Sequence, residues 1–285
     1  CKGKARAMTT ENPEIGQTVT AAGRMTNYLE AGIGFPVLLL HGSGPGVTAF
    51  ANWRLTLPAL AQQFRAMAPD CAGFGYTERK PDDRYHLDGW VAHIVGFLDA
   101  LGVAKTHVVG NSFGGALALA LAIRHPERVG RLLLMGAAAT PFPITDGLEA
   151  VWGYQPSLAN MEAMMEWFAY DRSLITPDLI RSRFEASIRP GCQEAYSAMF
   201  PAPRQPHVDA LAPAEEALRQ LKHPTLIVHG RDDKVIPLAS SLRLHALIEP
   251  SELHVFGRCG HWTQIEKRDR FNQLAVNFLA AESRP

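Results

Sequence analysis

The chain has 285 residues, with 28 basic and 28 acidic side chains and 47% hydrophobic residues. A chain of this length can bury a full core, either as one large domain or as a domain with an insertion. Its balanced charge gives no electrostatic basis for binding nucleic acid or an anionic membrane. No apolar run reaches the roughly 18 residues of a membrane span.

Cysteine usage and the amino terminus point to an intracellular compartment. The four cysteines are widely separated: Cys1, Cys71, Cys192 and Cys259. No C-x-x-C pair is present, so the sequence predicts no metal site and no disulfide framework, and reduced thiols indicate a cytoplasmic protein. Residues 1–7 are basic but lack the apolar region of a secretory signal. Met8 resembles a natural start, so residues 1–7 are expected to be an addition.

Strand and helix patterns alternate along most of the chain. The short apolar run at 36–40 predicts a central strand, and further strands are predicted at 65–69, 106–109, 131–135, 225–229 and 252–256. Helical spacing predicts helices at 53–64, 87–101, 113–124, 238–248 and 268–281. Repeated strand–helix units predict an α/β fold, with a mainly parallel central sheet and helices on both faces.

The alternation breaks between about residues 141 and 213. This segment has helical patterns at 148–154, 160–168, 177–187 and 194–199. About 70 residues without a strand are unusual in an α/β fold. We therefore expect a helical cap at 141–213, inserted between two parts of the core at 8–140 and 214–285.

Ser112 lies in the motif GNSFGG, residues 110–115, between a predicted strand and a predicted helix. A G-x-S-x-G pattern at such a junction places the serine on a tight turn, with its hydroxyl directed away from the backbone. The motif alone is weak, and a glycine-rich turn with an incidental serine is the alternative. Its position makes Ser112 a candidate nucleophile.

A serine hydroxyl needs a base, usually a histidine oriented by a carboxylate. Among eleven histidines, His261 lies on a glycine-containing loop directly after the last predicted strand. His41 fits a turn-stabilising role better, and His229 fits the core. The acid is Asp232 or Asp233, and physics alone leaves this open because both lie on one loop. The order serine, acid, histidine is that of the α/β-hydrolase fold.

Attack on a carbonyl creates an oxyanion that needs preorganised N–H donors. The backbone of Phe113 is one expected donor, since it follows the serine. The second is the backbone of Ser43, within the glycine-rich HGSGPG loop at 41–46. A phosphate-binding loop is a weaker alternative, because no Gly-Lys-Ser/Thr element follows.

Together the motifs HGSGPG (41–46), GNSFGG (110–115), GRDD (230–233) and CGHW (259–262), with the cap segment FAYDRSLIT (168–176), resemble the meta-cleavage product hydrolases. These α/β-hydrolases break a carbon–carbon bond in ring-opened catechols. The resemblance spans residues 14–281 and is strongest to the branch acting on monocyclic products. It implies Asp233 as the acid, a small dienoate substrate, no cofactor and, by analogy, a homo-oligomer.

The resemblance also implies roles for seven pocket residues. Arg183 matches a cap arginine that holds the substrate carboxylate, a group that guanidinium can grip with two hydrogen bonds. The other six are expected to be polar or lining positions of the pocket: Asn111, Trp262, Asn52, Phe168, Trp152 and Val235. The small side chain of Val235 favours hydrogen or compact alkyl groups on the leaving acyl end.

The implied reaction is hydrolysis of the C5–C6 bond of 2-hydroxy-6-oxohexa-2,4-dienoates. Its products are 2-hydroxypenta-2,4-dienoate and a carboxylic acid. The sequence leaves open whether Ser112 attacks the substrate or activates water. Two other functions are weighed against this one: a carboxylesterase with the same triad, and a ligand receptor on a hydrolase scaffold.

Overall fold

The computed structural model describes residues 12–281, so the predicted addition at 1–7 lies outside the described residues. Eight strands form one sheet: β1 (Gln17–Ala21), β2 (Arg24–Ala31), β3 (Phe35–Leu40), β4 (Phe64–Pro69), β5 (Thr106–Asn111), β6 (Val129–Met135), β7 (Thr225–Gly230) and β8 (Ser251–Phe256). Their order is β1-β2-β4-β3-β5-β6-β7-β8. The six strands from β3 to β8 pair in parallel with one another. At one edge, β1 pairs antiparallel with β2, and β2 pairs antiparallel with β4.

The predicted α/β fold with a mainly parallel sheet is confirmed, and all six predicted strands are present within two residues of their expected bounds. The sequence did not predict β1 and β2. Both strands mix polar and apolar residues and remain partly exposed, so they lack the continuous apolar runs of the central strands.

The sheet is buried on both faces because its central strands are mainly apolar. In β3, Leu38 and Leu40 pack on one face, whereas Val37 and Leu39 pack on the other. Each of these four side chains is fully buried. Burial of such a side chain contributes about 1.5–3 kcal/mol, so the central strands are held rigidly, and the loops that follow them start from fixed points.

Thirteen α-helices lie along residues 12–281. Those of the core are α1 (Ala49–Trp53), α2 (Leu57–Leu60), α3 (Leu87–Ala100), α4 (Phe113–Arg124), α10 (Glu215–Arg219), α11 (Leu238–Leu247), α12 (Thr263–Glu266) and α13 (Arg268–Ala280). The single helix predicted at 53–64 was wrong, because this segment contains the end of α1 and a separate α2. Pro58 lies in the first turn of α2 and has no N–H with which to continue a helix from α1.

The remaining helices lie between β6 and β7, where the sequence predicted an insertion. They are α5 (Asp146–Trp152), α6 (Leu158–Phe168), α7 (Pro177–Ser187), α8 (Cys192–Met199) and α9 (Gln205–Leu211). Four of the five coincide with predicted helices, whereas α9 was not predicted. The exact division of the chain at 141 and 213 stays a prediction. Across residues 12–281, no helix has the length and apolar character needed to cross a membrane.

Candidate active site

Ser112 occupies a strained turn between β5 and α4. Its φ is 56° and its ψ is −116°, a combination that non-glycine residues rarely adopt. The flanking glycines make this turn possible. A Cβ on Gly110 would lie 2.3 Å from the carbonyl oxygen of Gly114, and one on Gly114 would lie 2.2 Å from that of Leu40. Small residues are therefore required on both sides of the serine, as the motif predicted.

His261 and Asp233 form a short hydrogen bond on two neighbouring loops, after β8 and β7. The distance from Nδ1 of His261 to Oδ2 of Asp233 is 2.7 Å. The other oxygen, Oδ1, accepts hydrogen bonds from the backbone N–H groups of Val235 and Ile236 at 2.8 and 3.0 Å. A carboxylate can only accept here, so His261 donates from Nδ1 and its Nε2 stays free to accept a proton.

The environment keeps Asp233 ionised although it is buried. Burial alone would raise the pKa of its carboxyl, but the neighbouring His261 and the hydrogen bonds to the carboxylate hold the pKa below its ordinary value. Asp232 instead accepts from the backbone N–H of Cys259 at 3.2 Å and lies beside Arg231. The structure thus places Asp233, and not Asp232, on the histidine.

The histidine loop is also tied to the segment that follows α6. The backbone N–H of His261 donates to the carbonyl oxygen of Phe168 at 2.7 Å. The carboxylate of Glu266 accepts from the N–H groups of Gly260, Tyr170 and Asp171. These bonds fix the position of His261 relative to the end of α6 and the residues that follow it.

A cavity of about 750 Å³ opens at the carboxyl ends of the parallel strands and contains Ser112 and His261. Ligands of open α/β sheets bind at this edge. Within residues 12–281, the backbone N–H groups of Ser43 and Phe113 have no protein acceptor. Both lie next to Ser112: Phe113 follows it in sequence, and a Cβ on Gly42 would be 3.5 Å from the Cβ of Ser112. They are therefore suited to stabilise an oxyanion.

Three buried amides line the polar side of the cavity. Asn111 donates from Nδ2 to Oδ1 of Asn52 at 3.0 Å, and Gln264 donates to the backbone oxygen of Asn52 at 3.3 Å. Within residues 12–281, Nδ2 of Asn52, Oδ1 of Asn111 and Oε1 of Gln264 have no hydrogen-bond partner. Buried polar atoms without partners are costly, so this side is built to meet polar groups of a ligand. The sequence did not identify Gln264, which lies two residues after the CGHW motif and outside the other motifs.

Arg183, on α7, lines the same cavity, as expected from the sequence. One of its guanidinium nitrogens lies 2.6 Å from Oε1 of Glu14, near the amino terminus of the described chain. Glu14 is a partner that the sequence did not reveal.

Phe168, Val235 and Trp262 also line the cavity, with the aromatic rings of Phe168 and Trp262 stacked at 5.2 Å. Trp152 does not: within residues 12–281, the cavity lining does not include it. Its indole stacks on Phe200 at 4.2 Å and donates to the hydroxyl of Ser43 at 3.0 Å. The expected lining role of Trp152 is thus replaced by support of the Ser43 loop.

Comparison with known proteins agrees with this geometry. Residues 36–268 match the family model of the alpha/beta hydrolase fold. The chain is 58% identical over 275 residues to a 2-hydroxy-6-oxo-2,4-heptadienoate hydrolase of Pseudomonas putida F1, covering 96% of this chain and 100% of that relative. It is 58% identical over 269 residues to a 2-hydroxymuconate semialdehyde hydrolase of Pseudomonas sp. CF600, covering 94% and 95% of the two chains.

A solved meta-cleavage product hydrolase of Pseudomonas fluorescens IP01, complexed with acetates, superimposes with a TM-score of 0.93. It is 58% identical and covers 94% of this chain and 98% of its own. The chain belongs to the meta-cleavage product hydrolases. The family predicted from the motifs is confirmed, and the chain is an enzyme of a class that hydrolyses carbon–carbon bonds in ketonic substances.

Proposed function

We propose that this hydrolase cleaves the C5–C6 bond of 2-hydroxy-6-oxohexa-2,4-dienoates, giving 2-hydroxypenta-2,4-dienoate and a carboxylic acid. The observation that supports this best is that one cavity contains Ser112, the guanidinium of Arg183 and His261, which is hydrogen-bonded to Asp233. A plain esterase has no need of a partly buried cation in its substrate cavity. A dienoate has a carboxylate for which such a cation is suited.

The chemistry requires the substrate to change tautomer before it is cleaved. In the dienol, C5 would leave as a vinylic carbanion, which is a poor leaving group. Transfer of the 2-hydroxyl proton to C5 gives a 2-oxo acid in which C5 is saturated. When C5–C6 then breaks, the electron pair passes into a dienolate conjugated with the 2-oxo group. Arg183 and the amides of Asn52 and Asn111 line the cavity and are proposed to hold that end of the substrate.

In the second stage, Ser112 acts at C6, and His261 accepts its proton through Nε2 while Asp233 stabilises the imidazolium. The N–H groups of Ser43 and Phe113 stabilise the C6 oxyanion. His261 then returns the proton to the departing dienolate, and water releases the carboxylic acid. The two possible first steps, direct attack by Ser112 or attack by water that it activates, give the same overall balance of one water consumed.

The substituent on C6 is proposed to be small. Val235 lines the cavity beside Asp233, at the end where the acyl group would lie. The two relatives at 58% identity are named for substrates with methyl or hydrogen at this position. Apolar pockets discriminate single methylene groups by only about 10–200-fold. We therefore propose overlapping activity on hydrogen and methyl substrates and weaker activity on phenyl.

The test is a colour assay. Meta-cleavage products are yellow, and purified protein without added cofactor is expected to bleach them. A panel with hydrogen, methyl, isopropyl or phenyl at C6 would rank the substituents, and a neutral ester such as p-nitrophenyl acetate would measure esterase activity. Higher kcat/KM on the ester than on every dienoate would favour the carboxylesterase alternative. Tight binding of dienoates without bleaching would favour a receptor.

A further inference from the structure

Arg183 is not a free cation in the cavity. Glu14 lies 2.6 Å from its guanidinium and 3.6 Å from that of Arg189, and the Glu14 side chain is only 10% exposed. A carboxylate shared by two arginines at this depth neutralises part of the charge that Arg183 would otherwise offer to a ligand.

A second arginine, Arg54, lines the same cavity and follows directly after α1. It lies two residues after Asn52, whose amide faces the polar side of the pocket. One of its guanidinium nitrogens donates to the backbone oxygen of Ala51 at 2.6 Å. Within residues 12–281, Arg54 has no carboxylate partner. Most of its five N–H donors are therefore available to a ligand.

The electrostatic surroundings agree with this position. Burial is the main effect that lowers the pKa of Arg54, and the positive charge of Arg183 lowers it further, whereas Glu14 raises it. The three arginines of this group, Arg54, Arg183 and Arg189, face one carboxylate, Glu14, which leaves a formal excess of two positive charges. An anionic ligand would relieve that excess.

We propose that Arg54 is a substrate-binding residue that grips the carboxylate of the dienoate, together with Arg183, which Glu14 holds in place. This inference rests on the proposed function and adds a second guanidinium to it. It also assigns Glu14 a role. Glu14 positions Arg183 and neutralises part of the positive charge that Arg183 offers to the substrate carboxylate.

The experiment compares Arg54→Met with wild type on two substrates, the 6-methyl dienoate and its C1 methyl ester, which lacks the negative charge. A hydrogen bond between charged groups contributes about 1.5–3 kcal/mol, so KM for the dienoate is expected to rise roughly 10–100-fold. KM for the methyl ester is expected to change less than about threefold. Arg54→Lys is expected to recover part of the affinity, because lysine retains the charge but cannot bind a carboxylate with two parallel hydrogen bonds. Arg243→Met is the control, since that arginine pairs with Glu215 on the surface.

A double-mutant cycle with Glu14→Gln tests the division of charge. With Glu14 neutral, Arg183 offers its full charge, and Arg54→Met is expected to raise KM for the dienoate less than it does in the wild-type background. An unchanged KM in Arg54→Met, or equal losses on the dienoate and its methyl ester, would overturn the role of Arg54. Failure of the wild-type protein to bleach any dienoate would instead overturn the proposed function.

Discussion

The imidazole of His41 donates from Nδ1 to the carbonyl oxygen of Gly42 over 2.7 Å. Its Nε2 accepts from the backbone N–H of Cys71 at 2.9 Å, so the ring is neutral with its proton on Nδ1. Burial lowers the pKa of His41, which favours the same form. A planar trans peptide directs its N–H opposite to its C=O. The hydrogen bond to Gly42 therefore sets the direction of the Ser43 N–H, the proposed oxyanion donor.

Replacement of His41 by leucine is expected to lower kcat while KM changes less than about twofold. Loss of a whole oxyanion donor costs about 10²–10³ in kcat, so loss of its orientation should cost roughly 10–100-fold. Dienoate and ester should suffer alike, because both form an oxyanion. Steady-state kinetics well below the melting temperature would measure this. A variant that melts earlier but keeps its kcat would show that His41 only stabilises the fold.

A second close approach involves Gly136, directly after β6. A Cβ at this position would lie 3.3 Å from Nδ1 of His261 and 3.4 Å from Oδ2 of Asp233. Its φ is +51°, in the region that favours glycine. Gly136 therefore leaves the space in which the His261–Asp233 hydrogen bond forms.

Gly136→Ala is expected to displace this hydrogen bond and to lower kcat at least about 10-fold, since small misplacements of catalytic groups can cost up to about 10²-fold. The matched control is Gly102→Ala. Gly102 has a similar φ of +66°, but nothing lies within 4 Å of the point that a Cβ would occupy there. Both variants should lose about 1–2 kcal/mol of stability from backbone strain, measured by urea unfolding. Equal kcat in the two variants would contradict a steric role for Gly136.

The central sheet and the loops that hold the three candidate catalytic residues were predictable because each rests on local sequence. Apolar runs such as that of β3 identify buried strands. Ser112 and Asp233 follow the buried strands β5 and β7, whereas His261 follows the partly exposed β8. The carboxyl ends of parallel strands meet at one edge of the sheet, so residues on the loops that follow these strands come close together there. The choice of Asp233 over Asp232 depended on the family resemblance.

Other features of the site depend on contacts between distant segments. Glu14 meets Arg183 across 169 positions of the chain, and Gln264 meets Asn52 across 212. No local pattern marks either pair. Trp152 was expected to line the cavity, but it packs behind the cavity instead. Its position depends on Phe200, a residue distant in the chain on which its ring stacks.

Asp233 and Asp232 provide a matched pair for testing the acid. Asp233→Asn would remove the charge that stabilises the imidazolium and would favour the wrong tautomer of His261, so kcat is expected to fall about 10²–10⁴-fold. Asp232→Asn should retain kcat within about twofold, because within residues 12–281 the Asp232 carboxylate pairs with Arg231 and the N–H of Cys259 and not with His261. Stopped-flow bleaching of the dienoate would measure both. A larger loss in the Asp232 variant would reverse the assignment.

Ser112→Ala tests the nucleophile on the same substrate. Removal of the hydroxyl is expected to abolish carbon–carbon cleavage by at least about 10³-fold, while tautomerisation, observed as a shift in the absorbance of the bound dienoate, should persist. Circular dichroism would check that the strained turn is retained. Cleavage at the wild-type rate would exclude a role for Ser112 in the chemistry.

His93 makes the stability of the protein sensitive to acid. Its Nδ1 accepts from the backbone N–H of Ala72 at 3.3 Å, and its Nε2 lies 2.8 Å from the hydroxyl of Thr26. A second proton on Nδ1 would remove the acceptor for the Ala72 N–H, because both groups would then be donors. Burial lowers the pKa of His93 to about 4, against an ordinary value of 6.5. Between these two pH values the unfolded chain binds the proton more readily than the folded chain.

The free energy of unfolding is therefore expected to be highest above pH 6.5 and to fall as the pH drops from 6.5 to 4, with a contribution from His93 of about 2–3 kcal/mol. His93→Gln can make both hydrogen bonds but cannot titrate. His107, whose pKa is also lowered to about 4, remains in both proteins and cancels in the comparison. Urea unfolding at several pH values should give curves that separate as the pH falls from 6.5 to 4, because only wild type loses the contribution of His93. A constant difference between wild type and His93→Gln across this range would show that His93 does not titrate on unfolding.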